Sequence, residues 1–245
     1  MCFACRVVAR RLGLPLVPVE PARLCPLPST LYSVLLRYKE SAVAEERQHL
    51  GTVVRALCHH FLTGAGARLR VVAGGDLQLV VPVPSTARPG LPPLARVEGL
   101  ASVVTAAACG AAWAPSALQR GRPPRGAAPV LAHMRPDARG FVVRDDAAVR
   151  DRRVLVLDDL YVSGARAQSA AAALRLAGAR SVVVAVLGRV LRPDRVAEHR
   201  AFLGRQKRAE AETGPSVGTG QLPGSWLALE APSWSASATA TTHCS

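Results

Sequence analysis

The clearest periodicity in the chain lies at Leu50, Val53, Val54, Leu57 and Phe61, which recur at helical spacing and line one face of an amphipathic helix. Gly64 and Gly66 are expected to stop it. Upstream, Ser29 and Thr30 can cap a shorter helix that runs through about Tyr38. Two Val/Leu-rich runs follow, Leu69 to Ala73 and Leu77 to Val83. The second is almost continuously apolar, as a strand buried on both faces of a parallel sheet would be. Small residues over Leu94 to Ala112 predict a further helix, and Phe141-Val142-Val143 reads as a short strand. Then comes the apolar run Val154 to Leu157, the acids Asp158-Asp159, a turn through Ser163-Gly164, and a helix to Ala177 closed by Gly178. Val182 to Leu187 is another buried strand, so this segment is a βαβ unit. A last helix is expected from Asp194, behind Pro193. The pattern predicts an α/β fold with a central, mainly parallel sheet flanked by helices.

The flanks read differently. Five prolines lie between residues 15 and 28, so residues 1–30 are expected to form a small irregular, cysteine-containing lobe. From about Glu210 the chain is rich in Gly, Ser, Thr and Ala and loses periodicity, which predicts a disordered tail over 210–245. The folded domain is therefore expected over 31–209. No internal repeat is visible.

With 245 residues, 49% hydrophobic and 20% charged, the chain has enough apolar material for one sizeable core. Thirty-one basic against seventeen acidic side chains leave a formal charge of +14, and only Lys39 and Lys207 are lysines. A charge of that size attracts anions, either a polyphosphate ligand or nucleic acid. The aromatic content of 4% argues against a base-stacking platform. Leu12 to Val19 is broken by Pro15 and Pro18, and Gly99 to Gln119 is mostly alanine, so neither a signal peptide nor a membrane span is expected. The six cysteines then read as reduced thiols of a cytoplasmic protein, with no membrane partner. Cys58 and Cys109 are expected to be buried small hydrophobes, and the adjacent His59 and His60 point to different helix faces.

Candidate chemistry concentrates at the strand–Asp–Asp–turn–helix. In an open parallel sheet, ligands bind beyond the carboxyl ends of the strands. Asp158 and Asp159 should emerge there, and Ser163-Gly164-Ala165 leads into a helix N-terminus whose amides and dipole suit a phosphate. Two carboxylates beside such a cradle suit a sugar phosphate, with the acids accepting from ribose hydroxyls. The common nucleotide motifs with Gly-rich loops, and the nucleophile elbow, are all missing. Residues 118–144 carry Arg120, Arg122, Arg125, Arg135, Arg139 and Arg144 against Asp137 alone. That basic loop could cover pyrophosphate, track a nucleic-acid backbone or simply be solvated.

Val154 to Arg166, VLVLDDLYVSGAR, resembles the phosphoribosyl-pyrophosphate (PRPP) motif of type I phosphoribosyltransferases, and within that superfamily the chain is most similar to the ComF group of competence-associated proteins. Tyr38-Lys39, Val81-Pro82-Val83-Pro84 and Arg139-Gly140-Phe141 support the likeness, which covers about Cys2 to Leu191. The resemblance implies a type I phosphoribosyltransferase-like fold. It assigns Asp158 and Asp159 to the ribose hydroxyls, Val162, Ser163, Gly164, Ala165 and Arg166 to the 5′-phosphate, and the loop with Pro84, Ser85, Thr86 and Arg88 to pyrophosphate. Mg²⁺ would be held mainly by PRPP oxygens near the two acids. The implied reaction transfers phosphoribosyl to a nitrogen base, with pyrophosphate released. The alternative is a DNA-uptake accessory protein that binds single-stranded DNA and keeps a vestigial or regulatory PRPP site.

The chain departs from the family pattern at two places. Val162 and Arg166 stand where the phosphate loop commonly has threonines; Arg166 could supply a charge-assisted contact instead, or point to solvent. Lys39 could reach an anion or sit at a solvated helix end. Many ComF-like proteins carry a four-cysteine zinc site, but here Cys2, Cys5 and Cys25 lack a fourth ligand, so no structural Zn²⁺ is expected.

Overall fold

A computed structural model describes residues 3–85, 90–121 and 135–213. In chain order the elements are α1 (Phe3–Leu12), β1 (Val19–Pro26), α2 (Thr30–Glu40), α3 (Ala44–Ala73), β2 (Leu79–Pro82), α4 (Leu100–Ala107), β3 (Ala112–Trp113), β4 (Leu118–Arg120), β5 (Phe141–Val143), α5 (Asp146–Val149), β6 (Arg153–Tyr161), α6 (Ala165–Leu176), β7 (Ser181–Leu191) and α7 (Ala197–Thr213). Single 3-10 turns cover Pro93–Arg96 and Ala138–Gly140.

Five strands form one sheet in the order β1-β7-β6-β2-β3, and every neighbouring pair is parallel. The α/β reading with a mainly parallel sheet therefore holds. Both faces of the sheet are covered, and alternation along the strands decides which core each residue joins. Leu155 and Leu157 of β6, with Val183, Ala185 and Leu187 of β7, pack with α2, α3 and α4. Val154 and Val156, with Val182, Val184 and Val186, pack with α6 on the other face. This is why the β6 and β7 runs are apolar at consecutive positions.

Several expectations need correction. The described part of the expected irregular lobe, residues 3–30, is regular: β1 pairs with β7 from Val19↔Val184 to Pro26↔Leu191, and Ala22 and Cys25 are buried in the core. A parallel edge strand can carry Pro21 and Pro26 because its outer side needs no ladder partner. Second, Gly64 and Gly66 do not end α3, which continues through the Val/Leu-rich run Leu69 to Ala73. Phe61, Leu62, Ala65, Leu69 and Ala73 keep the buried stripe going, and that burial outweighs the helix penalty of about 1 kcal/mol per glycine. Gly74 is the true stop, at φ 74, with its N–H returning to Val71 O. Third, Leu94 to Ala112 is a 3-10 turn, then α4, then β3, rather than one helix. Ser29 does cap α2, its Oγ accepting from Tyr32 N at 3.3 Å. Cys109, expected to be buried, is exposed at φ 52 and accepts a hydrogen bond from Arg70 Nη1 at 3.2 Å. α7 runs from Ala197 to Thr213, so the first four residues of the expected tail, 210–213, are helical instead, and the rest of it falls outside the described residues.

The sheet order places a crevice. β2 leads through α4 to β3 on one side, whereas β6 leads through α6 to β7 on the other. The two crossovers diverge from adjacent strands, so β2/β6 is the topological switch point where an open α/β sheet binds ligands. β2 stops at Pro82, opposite Leu157, while β6 runs on to Tyr161 against β7 alone. Asp158 and Asp159 are thus the first β6 residues beyond the end of β2.

Candidate functional site

Both acids lie within β6 and are buried, each only 3% exposed. Expected to emerge beyond the strand's carboxyl end, the acids lie inside the strand instead. β6 extends four residues past Leu157 because β7 continues beside it, with Tyr161 opposite Arg189. Parity sends the two carboxylates to different sides. Asp159 shares the Leu155/Leu157 face and meets α2, where Tyr38 Oη donates to its Oδ2 at 2.6 Å and Lys39 Nζ at 2.5 Å. Asp158 shares the Val154/Val156 face and meets α6, where Arg166 donates through Nη2 to Oδ1 at 2.7 Å and through Nε to Oδ2 at 3.3 Å. Arg166 Nη2 also reaches Asp159 Oδ1 at 3.1 Å and ties the two together. Backbone amides complete the set: Asp159 N donates to Asp158 Oδ1, and Leu160 N to Asp159 Oδ1.

The electrostatics follow from this arrangement. Burial is the largest influence on Asp158 and pushes its carboxyl up to about 6, against the pull of Arg166 and with Asp159 adding to the rise. Burial opposes ionisation of Asp159 as well, but Lys39 and Arg166, with the hydrogen bonds from Lys39 and Tyr38, outweigh it and hold the group at about 2. Arg166 also loses solvation on burial, yet the two carboxylates keep it firmly protonated. The Tyr38 phenol is pushed up by burial and by Asp159, so it stays a donor. As pH falls, the first proton goes to Asp158.

The turn after β6 is built for close approach. Gly164 caps α6 at φ 80, and a Cβ there would lie 2.2 Å from the Tyr161 hydroxyl oxygen. Glycine is required both by the left-handed backbone and by the ring over it. Ser163 Oγ accepts from Ala165 N at 3.3 Å. The amides of Arg166 and Ala167 open the helix and have no intrahelical acceptor, so they point toward the crevice end of α6. Val162 is exposed, Ser163 half-buried, and Gly164 and Ala165 buried. Arg166 neither joins a phosphate cradle in this form nor points to solvent; it neutralises the acids.

Of the anticipated pyrophosphate loop, Pro84 is buried and Ser85 half-buried beside β6, whereas Thr86 and Arg88 lie outside the described residues. Val83 N donates to Leu157 O at 2.9 Å, which fixes where that loop leaves the sheet. Within the described part of the basic segment, β4 and β5 pair antiparallel from Leu118↔Val143 to Arg120↔Phe141. Arg122 and Arg125 lie outside the described residues, while Arg120, Arg135, Arg139 and Arg144 lie within them. Arg120 stacks on Phe141 at 4.6 Å, and burial together with the nearby Arg166 guanidinium lowers its pKa. Asp137 N donates to Ser169 Oγ at 2.8 Å, and Ser169 Oγ donates to Ala165 O at 2.6 Å. The end of the basic segment is thereby pinned to the first turn of α6. Ser169, on α6 itself, carried no local signal for this role, and Arg120 stood out only as one of six arginines in the basic segment.

All four carboxylate oxygens of Asp158 and Asp159 accept hydrogen bonds from the chain. The pair is therefore not a free chelating site, and among the described residues no group of three or more His, Cys, Asp or Glu could hold a metal ion. Cys25 is fully buried, and burial, opposed only by a Ser29 hydrogen bond, pushes its thiol up to about 12. Cys5 sits on α1, and Cys2 lies outside the described residues. No helix among the described residues is long and apolar enough to cross a membrane.

Neither the known protein-family models nor the curated proteins contain a match to this chain.

Proposed function

We propose that the β2/β6 crevice binds a phosphorylated sugar. The observation that carries this reading is a pair of adjacent carboxylates at the switch point, followed at once by a left-handed glycine and an open helix N-terminus. More particularly, the ligand is PRPP with Mg²⁺, and the protein is a phosphoribosyltransferase-like enzyme acting on a nitrogen base.

In this reading the α6 amides and the free donors of Arg166 hold the 5′-phosphate, and Asp158 and Asp159 accept from the ribose hydroxyls. Ribose hydroxyls take over lone pairs now shared with Arg166 and Lys39, so the two cations shift toward the ligand's phosphates. Magnesium, carried on the PRPP oxygens rather than chelated by the acids, would neutralise the leaving group. The bond from C1 to the pyrophosphate oxygen breaks, its electrons leave with pyrophosphate, and the nitrogen base forms the new bond at C1. Arg120 and Arg166 place positive charge where pyrophosphate accumulates negative charge.

Calorimetry with PRPP and Mg²⁺ on the full chain tests the proposal. One molecule is expected to bind per chain, and Asp158→Asn should weaken binding about ten- to hundred-fold, the loss of one charged hydrogen bond. Absence of heat and of any melting shift at millimolar PRPP would overturn it. Salt-sensitive binding of single-stranded DNA in the same protein would then favour the accessory reading, which rests on the +14 charge.

A further inference from the structure

A cavity of about 420 Å³ is lined in part by Tyr38 and Lys39, the two side chains that donate to Asp159. Its walls are the end of α2, the first turns of α3 and the segment 93–98. Its charge is one-sided: Lys39, Arg47, Arg55 and Arg96 face it, against the single acid Glu98. The arginines arise from a simple helical stripe. Arg47, Gly51 and Arg55 recur every four residues on α3, along the edge of the buried face that carries Val54 and Cys58. Gly51 is buried with only Val97 near its missing side chain, so the floor between the two arginines stays open.

The cations there are incompletely used. Arg47 donates from Nη1 to Ser41 O at 2.6 Å, and Arg55 from Nη1 to Glu98 O at 3.1 Å, so among the described residues each has a neutral carbonyl, and no carboxylate, as partner. Arg96 is exposed and makes no hydrogen bond or ion pair among the described residues. Lys39 is already paired with Asp159, which leaves three arginines against Glu98; set around a concave space they repel one another, and an anion of matching size relieves that repulsion. The volume falls in the roughly 300–1,000 Å³ range of small-molecule sites, and a pocket walled on three sides suits a small molecule better than an extended strand.

We propose that this cavity is a second binding site, specific for a small molecule bearing at least two negative groups, phosphates or carboxylates. It shares Lys39 with the acid pair, so its occupant and a ligand at Asp159 are coupled through one ammonium group. The site stands on its own geometry, whether or not the α6 loop takes PRPP. If both sites operate, the anion is placed as the second substrate or as an effector.

The test is calorimetry on the full chain without magnesium, using inorganic pyrophosphate for the phosphate source, phthalate for the carboxylate source, and neutral phthalamide as control. At least one dianion is expected to bind once per chain, and phthalamide not at all. Arg96→Gln and Arg47→Gln should each weaken the dianion about tenfold. Ser163→Glu, which places a carboxylate at the α6 loop, should leave that binding unchanged. Arg96→Gln alters an exposed side chain without partners, so it carries the test if Arg47→Gln fails to fold. Absence of saturable binding by either dianion would overturn the proposal. So would binding that Ser163→Glu abolishes and the arginine variants leave intact, because the anion would then sit at α6. Oligothymidylate binding that the same arginines weaken, with no dianion binding, would assign the cavity to a nucleic-acid track instead. A chain that binds the dianion here but never PRPP would sink the phosphoribosyltransferase reading alone.

Discussion

Asp159 holds the site together. Its Oδ2 is the acceptor for both the Tyr38 hydroxyl and the Lys39 ammonium, which come from a helix 120 residues earlier in the chain. Asp159→Ala leaves a mostly buried ammonium without its counter-charge and a buried phenol without its acceptor, so it should cost about 3–5 kcal/mol of stability. Asp159→Asn, which keeps one acceptor oxygen, should cost less; chemical denaturation of the two variants checks the order. Asp158 makes a pH prediction of opposite sign to most carboxylates. Its folded pKa of about 6 lies above the ordinary value of 3.8, so the folded chain favours the protonated form. The stability it contributes is full below pH ~4 and lost as pH rises through about 6. Asp159, held low, contributes stability above pH ~4 that disappears as pH falls toward 2. Unfolding free energies between pH 4 and 7 should decline less steeply for Asp158→Asn than for the wild type, and parallel profiles would contradict the assignment.

At the scale of elements, α3 shows burial overriding local preference. Thirty residues of helix, about 45 Å long, pass through Gly64 and Gly66 because their buried neighbours on either side stay in register. Nothing lies within 4 Å of a Cβ built on Gly64, and its backbone is helical. Gly64→Ala should therefore stabilise the protein by about 0.5–1 kcal/mol, measurable as a higher denaturation midpoint at unchanged slope. An unchanged or lower midpoint would mean that this turn needs its glycine for some other contact. The β6–α6 turn is the opposite case, since the left-handed φ of Gly164 and the Tyr161 ring leave no room for a side chain.

For the whole molecule, the N-terminal residues belong to the sheet. β1 supplies the edge partner of β7, and Gln168 of α6 clasps the segment just before β1, its Oε1 accepting from Val17 N and its Nε2 donating to Val17 O, both at 3.0 Å. A chain beginning at Ser29 should lose cooperative thermal unfolding or precipitate, because β7 would become a bare apolar edge and Ala22 and Cys25 would leave the core. Wild-type melting by that shortened chain would show that β1 merely lies against the sheet.

Much of this was legible in the residues alone. Consecutive apolar positions at Val154 to Leu157 and Val182 to Leu187 mark strands covered on both faces, and hence a parallel α/β sheet. Asp-Asp, turn, glycine and helix in that order place a phosphate-type site at a strand's carboxyl end. Such signals depend on neighbours within a few residues. The strand order that makes β2/β6 the switch point, the burial of the acids, and their neutralisation by Lys39 and Arg166 do not. They depend on β7 continuing beside β6 and on α2 folding over it from a distant part of the chain. The basic cavity lies between these cases: the Arg47–Gly51–Arg55 stripe is written in the sequence, but only packing of 93–98 against α3 turns a solvated helix face into a walled site. Local spacing determines which side chains share a face; what that face meets, and so whether its charges are solvated, paired or left facing a cavity, is decided by long-range packing.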